Sequence, residues 1–411
     1  MKRSISLRTV LFSLIVLMAF FENWLVDTIP IAGYFDEILA LYLLMYCLVS
    51  GNRKANKHHD HMAIIAISLL IVVWGIACNF YAGIQKAPLP IIEDIMSIFK
   101  FLFVYYGLRE FLQNKGLNTR AVLRFVMPIV KIYCAVLFVF AIANLFTNVG
   151  MHTEMRYGFR SFAFIYGVSG HIINQGTYFL VLLSAENEIL QKKNTFWKMV
   201  AIFLMACTVK SRAFELIAVY FALYYFFIFR KKRRMGLEIG ILGAVILLVG
   251  YSQFEYYFLR EGTPRQMLVA GAVKLVREYF PFGTGFGTYG SSAAAKYYSS
   301  LYSVLGFSNR YGMTADSPMF LNDNYLPMIF AQFGLIVAIV FIWVLYKYSK
   351  AVLTDEKRLI TQRTKMITWF FLANVLLSSI QSSFLASYTV VDFTIMFVLF
   401  FYPNRRERQE R

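Results

Sequence analysis

Two stretches decide how this chain is organised: REYFPFGTGFGTYGSS (residues 277–292) and FLNDNYLPMIFAQFGLI (residues 320–336). Both lie between Glu255 and Gly334, an interval that mixes charged residues with many glycines and tyrosines. Nearly all of the remaining chain consists of apolar runs. Because a multi-pass protein usually binds or reacts in its one large polar loop, we expect the functional site in the loop at 254–324.

The composition indicates a membrane protein. Hydrophobic residues make up 59% of 411, and the mean hydropathy is +0.57. Apolar runs of about 20 residues recur along the chain, each long enough to cross a bilayer. The net charge of +18 lies in short connections between these runs, which argues against a nucleic-acid partner. All four cysteines lie in apolar segments, so no disulfide framework is expected.

The apolar runs predict an all-α polytopic membrane protein with about twelve transmembrane helices. We expect a single integral membrane domain over 1–411, with a large extracytoplasmic loop at 254–324 between predicted helices 9 and 10. The predicted spans are 9–26, 31–50, 63–82, 95–112, 125–147, 171–190, 197–210, 213–229, 237–253, 325–346, 366–385 and 388–402.

The basic residues predict the orientation. With twelve spans, 28 of the 41 lysines and arginines fall on one face, including RKKRR (230–234) and the 347–365 connection. Basic connections stay in the cytoplasm, so both termini are expected there and the 254–324 loop outside.

The glycines of the loop allow two interpretations. Gly285, Gly287 and Gly290 match G-x-G-x-x-G, but a nucleotide fingerprint needs a preceding strand and a cytoplasmic location. A tight turn is the simpler interpretation. The alternative is that Gly283, Gly285 and Gly287 let backbone N–H groups approach an anionic head group.

Several arginines lie on the predicted outer side: Arg160, Arg212, Arg265 and Arg277. Each alone is explained by a side chain that extends to lipid head groups. Four on the face poor in positive charge are less expected, and a guanidinium binds phosphate through two parallel hydrogen bonds.

Charged residues also occur inside predicted spans. Lys100, Lys131 and Asp392 either face a polar cavity or lie nearer an interface than the span boundaries suggest. The His58–His61 cluster is expected to be a solvated loop, and no metal site is predicted.

Three segments together resemble the O-antigen ligase and Wzy-type O-antigen/capsular polysaccharide polymerase superfamily. TVKSRAFELIAVY (208–220) is similar to its Ser-Arg segment that opens a helix. TPRQMLVAGAVKLVREYFPFGTGFG (263–287) is similar to its arginine, helix and glycine-rich run. NDNYLPMIFAQFGLI (322–336) is similar to its entry into the next span.

The resemblance implies a GT-C-like glycosyltransferase of the bacterial cytoplasmic membrane that uses undecaprenyl-pyrophosphate-linked glycans and no cofactor. Chain-length regulators and flippases are implied as partners. Arg212 and Arg265 are implied as pyrophosphate contacts and Asp323 as the catalytic base. The implied substrate-binding residues are Arg160, Arg277, Gly283, Gly285, Gly287, Asn324 and Tyr325.

Three functions remain open. The ligase branch has a histidine where this chain has Asp323, or Asn322 in the other register, which favours a polymerase. A transporter or lipid-glycan flippase also often has about twelve spans. Transporters show internal repeats and charged residues at the bilayer midplane, whereas this sequence shows no repeat and has most of its polar residues in one loop.

Overall fold

The computed structural model describes residues 6–51, 59–149, 154–229, 255, 259–355 and 361–402. Helices dominate these residues, and all bounds below refer to them. The helices are α1 (Leu7–Thr28), α2 (Phe35–Gly51), α3 (His59–Ala82), α4 (Pro88–Lys115), α5 (Thr119–Phe146), α6 (Gly170–Leu190), α7 (Thr195–Ala206), α8 (Ser211–Tyr224), α9 (Pro264–Glu278), α10 (Ser292–Lys296), α11 (Ser300–Val304), α12 (Tyr325–Thr354), α13 (Gln362–Gln381) and α14 (Tyr388–Phe401).

The chain is a largely helical polytopic membrane protein. Within the described residues, six helical segments are long and apolar enough to cross a membrane: Leu7–Thr28, Pro30–Ser50, Met62–Ala82, Thr119–Phe146, Ser211–Phe229 and Tyr325–Thr354. Eleven of the twelve predicted spans coincide with helices, and the remaining one, 237–253, lies outside the described residues. The count of twelve spans stays a prediction.

Helix α7 is short because the chain breaks after it: its 12 residues span about 18 Å at 1.5 Å per residue, against a hydrocarbon core of about 30 Å. Helix α8 begins after the break and continues as a π-helix over Tyr225–Phe229, so the helical segment Ser211–Phe229 is long enough to cross a membrane. The break includes Val209 at φ 51°, a left-handed conformation that ends the regular hydrogen bonding of α7. As a result, Arg212 lies in the first turn of α8.

One small β-hairpin is an exception to the predicted all-helical fold. Met155–Arg156 (β1) pairs antiparallel with Phe159–Arg160 (β2). The two connecting residues, Tyr157 and Gly158, both have positive φ, as the two-residue turns favoured in hairpins require. A two-residue strand carries no hydrophobic periodicity, so the sequence pattern contained no signal for it.

Residues 259–324, here called the loop segment, fold into an ordered layer. Thr263 caps α9 by accepting a hydrogen bond from the Gln266 amide, and Pro264 occupies the first helical position. The segment has its own apolar core, made chiefly of Leu268, Leu275, Tyr289, Tyr302, Phe307 and Met313. Helix α9 packs against α12, so the layer is joined to the helical bundle.

The glycine run fixes this layer to the bundle. Helix α12 is interrupted at Gly334 (φ 75°), and a Cβ there would lie 2.4 Å from the Phe282 carbonyl oxygen. A Cβ on Gly283 would lie 2.2 Å from the Gln332 carbonyl oxygen. Trp74 of α3 donates to the Phe333 carbonyl at 2.9 Å and thereby satisfies a backbone group that the break exposes. The glycines are therefore required for close backbone contact.

Candidate functional site

A cavity of about 540 Å³ opens where the loop segment meets the bundle. Its walls come from the residues before and at the start of α2, from α4, from the first turn of α8, from α10 and from residues 382–389. The charged residues that line it are Glu37, Glu93, Lys100, Arg212 and Lys296. Three of these five are cations; Lys100 forms an ion pair with Asp36 and Lys296 with Glu93, which leaves Arg212 as the cation that favours an anionic ligand. The volume is within the usual range of ligand sites.

Arg212 is held rigidly in the cavity wall. Its Nη2 donates to Asn174 Oδ1 at 3.0 Å, and its guanidinium carbon lies 5.3 Å from the centre of the Phe384 ring. The buried Nε atom has no hydrogen-bond partner among the described residues. Because a buried donor without a partner costs free energy, this atom favours a ligand that can accept from it.

Lys100, which lies in the predicted span 95–112, lines the cavity. Its Nζ forms an ion pair with Asp36, and the two side chains are 6% and 0% exposed. Asp36 Oδ1 also accepts from the Glu37 amide at 2.9 Å. A buried lysine needs such a counter-charge, and this pair fixes α4 against the first turn of α2. Lys100 therefore faces a polar cavity, as one of the two interpretations of the sequence predicted.

Lys131 and Asp392, the two other charged residues noted in predicted spans, have partners inside the protein. Lys131 Nζ donates to Glu186 Oε2 at 2.6 Å, and Asn194 donates to the same oxygen at 2.8 Å. Asp392 is fully buried and accepts from the Tyr178 hydroxyl at 3.3 Å. Neither Lys131 nor Asp392 lines the cavity.

A polar chain connects the three residues predicted to be catalytic. Gln381, the last residue of α13, donates to Glu215 Oε2 at 2.6 Å, and Glu215 lies one helical turn after Arg212. The Gln381 carbonyl accepts from Arg265 Nη2, and Arg265 lies 3.5 Å from Asp323 Oδ2. Arg265 and Asp323 are thus linked through Gln381 to Glu215, and Glu215 interacts electrostatically with Arg212.

Arg265 and Asp323 lie beside the cavity and do not line it. Their side chains are 13% and 29% exposed, and each is engaged by the other. Burial raises the pKa of Asp323 above its ordinary value, although Arg265 opposes the shift. Arg212 can therefore contact a ligand in the cavity directly, whereas Arg265 donates to the Gln381 carbonyl and does not line the cavity.

The rim of the cavity holds a third cation. Lys296 Nζ lies 2.9 Å from Glu93 Oε1, and the Tyr297 hydroxyl donates to the same oxygen at 3.1 Å. The hydrogen bond to Glu93 raises the pKa of Lys296 above its ordinary value. Lys296 therefore stays charged at neutral pH, with its side chain 56% exposed.

Two of the arginines predicted to bind substrate lie elsewhere. Arg160 is on strand β2, where its Nη1 donates to the Asn144 carbonyl at 3.4 Å. Arg277 is exposed in the last turn of α9. Neither residue lines the cavity, so their proposed contact with substrate stays a prediction.

The three predicted glycines have no free amide to offer a ligand. The Gly283 amide lies 3.3 Å from Cys78 Sγ, the Gly285 amide donates to the Gln332 carbonyl at 2.9 Å, and the Gly287 amide donates to Asp94. This favours the tight-turn interpretation over approach to a head group.

Asn324 and Tyr325 are 3% and 1% exposed, at the start of α12. Neither side chain lines the cavity, so the structure places both in the packed interior beside it.

The sequence reasoning missed three polar residues of the site: Glu37, Asn174 and Gln381. Each lies within seven residues of one end of a predicted span (31–50, 171–190 or 366–385), where a polar residue is ordinary and gives no signal by itself. Among the described residues, no group of three or more His, Cys, Asp or Glu side chains is arranged to hold a metal ion.

Comparison of the chain with protein-family models, with curated proteins and with solved structures finds no match in any of the three.

Proposed function

We propose that this protein is a membrane glycosyltransferase that polymerises undecaprenyl-pyrophosphate-linked oligosaccharide repeat units. The product would be an O-antigen, capsular polysaccharide or exopolysaccharide, made at the outer face of the bacterial cytoplasmic membrane. A flippase that delivers the repeat units and a chain-length regulator are the expected partners. The proposal combines the resemblance of three sequence segments with the chemistry of the cavity.

The Arg212 guanidinium in the cavity wall is the observation that carries this proposal. Arg212 presents a buried Nε donor without a partner among the described residues, and Lys100 and Lys296 line the same space. A pyrophosphate offers several oxygens that accept from such donors. In the reaction, an acceptor sugar hydroxyl attacks the anomeric carbon of the donor glycan, and undecaprenyl pyrophosphate leaves. Negative charge grows on that leaving group, so a fixed guanidinium lowers the barrier.

Two alternatives use the same cavity differently. A ligase would transfer the finished glycan to a lipid core or another acceptor, but this chain lacks the histidine of the ligase branch. A transporter or flippase would move the lipid-linked glycan without chemistry. The rigid fixation of Arg212 by Asn174 and Phe384 favours a site that stabilises a transition state.

Deleting the gene separates these possibilities. For a polymerase, we expect surface glycan that stops at one repeat unit, because repeat units still reach the outer face but cannot be joined. Glycan length on gels and mass spectrometry of extracted undecaprenyl lipids are the measurements. Long chains on undecaprenyl pyrophosphate would identify a ligase, and single repeat units retained on the cytoplasmic face would identify a flippase.

A further inference from the structure

Glu37 differs from the other carboxylates at the site. It lines the cavity, and no described residue donates a hydrogen bond to its carboxylate. Glu93 also lines the cavity, but it accepts from Lys296 and Tyr297. Asp323 is engaged by Arg265 and does not line the cavity. Glu37 therefore has lone pairs available for a hydroxyl group inside the cavity.

The backbone beneath Glu37 is fixed. Asp36 accepts from the Glu37 amide and pairs with Lys100, and the Asp36 side chain is fully buried. This arrangement locks the first turn of α2 against α4. Since a catalytic group must be held near its productive geometry, a buried ion pair directly below Glu37 is a suitable support.

Charges of both signs surround Glu37. Lys100 and Glu93 face it from α4, Lys296 faces it from α10, and Asp36 is its neighbour on α2. Lys100 and Lys296 are each paired with a carboxylate, and Arg212 lines the same cavity as Glu37. The proposed base and the guanidinium that would hold a pyrophosphate therefore face one space, as transfer from a lipid pyrophosphate to a hydroxyl requires.

We propose that Glu37 is the general base that activates the acceptor sugar hydroxyl; this inference rests on the proposed polymerase function. The hydroxyl oxygen forms a bond to the anomeric carbon, and the bond from that carbon to the phosphate oxygen breaks. The electron pair leaves with undecaprenyl pyrophosphate. The hydroxyl proton passes to Glu37, which becomes a neutral acid and later releases the proton to water. Asp323 then has a positioning role through Arg265.

Glu37→Gln tests the assignment, since the amide keeps the shape but cannot accept a proton. The substrate is the lipid-linked glycan that accumulates in the deletion strain, and the enzyme is the full-length chain in membranes. We expect the rate of chain extension to fall about 100-fold or more. Purified Glu37→Gln should still bind undecaprenyl pyrophosphate in detergent within about threefold of the native affinity.

Three further variants make the result specific. Glu37→Asp should retain part of the activity, because a carboxylate remains. Glu278→Gln is the matched control, since Glu278 lies on the exposed face of α9 beside Lys274 and should extend chains normally. Asp323→Asn should lower activity less than Glu37→Gln. The rate of chain extension by the native enzyme should fall as the pH is lowered, because protonated Glu37 cannot accept a proton. The residual rate of Glu37→Gln should not show this fall.

The outcomes are distinguishable. Normal extension by Glu37→Gln, or a larger loss in Asp323→Asn, would overturn the base assignment and leave the polymerase intact. Failure of the native protein to bind undecaprenyl pyrophosphate and to extend chains would overturn both proposals. Loss of pyrophosphate binding together with activity in Glu37→Gln would show that Glu37 maintains the site, and that result also refutes the base.

Discussion

Replacing Arg212 with lysine removes the features that make this side chain a fixed donor. The native guanidinium donates to Asn174 at 3.0 Å, stacks 5.3 Å from the centre of the Phe384 ring and keeps a buried Nε without a partner among the described residues. Lysine keeps the charge. Its single ammonium nitrogen cannot bond to Asn174 and also occupy the Nε position.

The lost donor sets the size of the effect. Removing one preorganised donor to a developing anion costs about 2.7–4 kcal/mol in the transition state, which corresponds to about 100- to 1,000-fold in rate. Without the hydrogen bond to Asn174, the lysine ammonium would also be held less firmly against the pyrophosphate. We therefore expect Arg212→Lys to leave mostly single repeat units on the surface, with normal amounts of protein in the membrane.

Arg310→Lys is the matched control for this experiment. Arg310 is exposed in the loop segment, outside the cavity, and should accept lysine without effect. Glycan length on gels is compared at equal protein levels, with immunoblots of the membrane fraction. Near-normal chains from Arg212→Lys would refute the reasoning, because a side chain that only extends to lipid head groups tolerates lysine.

Two further predictions test the fold and the orientation. Gly334→Ala should lower the melting temperature in detergent well below that of Gly306→Ala. A Cβ on Gly334 would lie 2.4 Å from the Phe282 carbonyl oxygen, and its backbone (φ 75°, ψ 168°) is in a region that essentially only glycine adopts. Gly306 (φ 75°, ψ 20°) has the left-handed conformation, which costs other residues about 1–3 kcal/mol, and nothing lies within 4 Å of a Cβ placed there, so equal melting temperatures would contradict this account. For the orientation, a membrane-impermeant maleimide should label Tyr311→Cys in intact cells and Thr354→Cys only after permeabilisation; the four native cysteines are buried, and the opposite pattern would reverse the predicted topology.

Much of the helical layout could be predicted from the sequence because apolar runs of membrane length are a strong signal. The first eight predicted spans and the last three each fall on a helix. The break before Arg212 was also visible, since Lys210-Ser211-Arg212 interrupts two short apolar runs. The hairpin at 155–160 was missed because its strands have only two residues each.

The candidate site could be predicted only in part. Arg212 was found because an arginine on the predicted outer face is unusual, and Lys100 because a lysine in an apolar run is costly. Which polar groups meet them depends on packing between α2, α4 and α13, which no single-sequence pattern encodes. Glu37 and Gln381 became candidates only when their neighbours were known.

The docking of the glycine run into the bundle also constrains how the protein is made. The Phe286 backbone amide donates to Asn79 Oδ1 at 2.8 Å, and the side-chain Nδ2 of Asn79 donates to the Phe286 carbonyl at 2.9 Å. The two residues are 207 positions apart in the chain. Such contacts between distant residues form late, after the intervening chain exists. During synthesis, α3 and α4 must therefore form with their docking surface uncovered. The glycine run also contacts Gln332 and Gly334, so its docking is complete only after α12 has been translated. A chain that ends before α12 would therefore lack the contacts that hold the glycine run in the bundle.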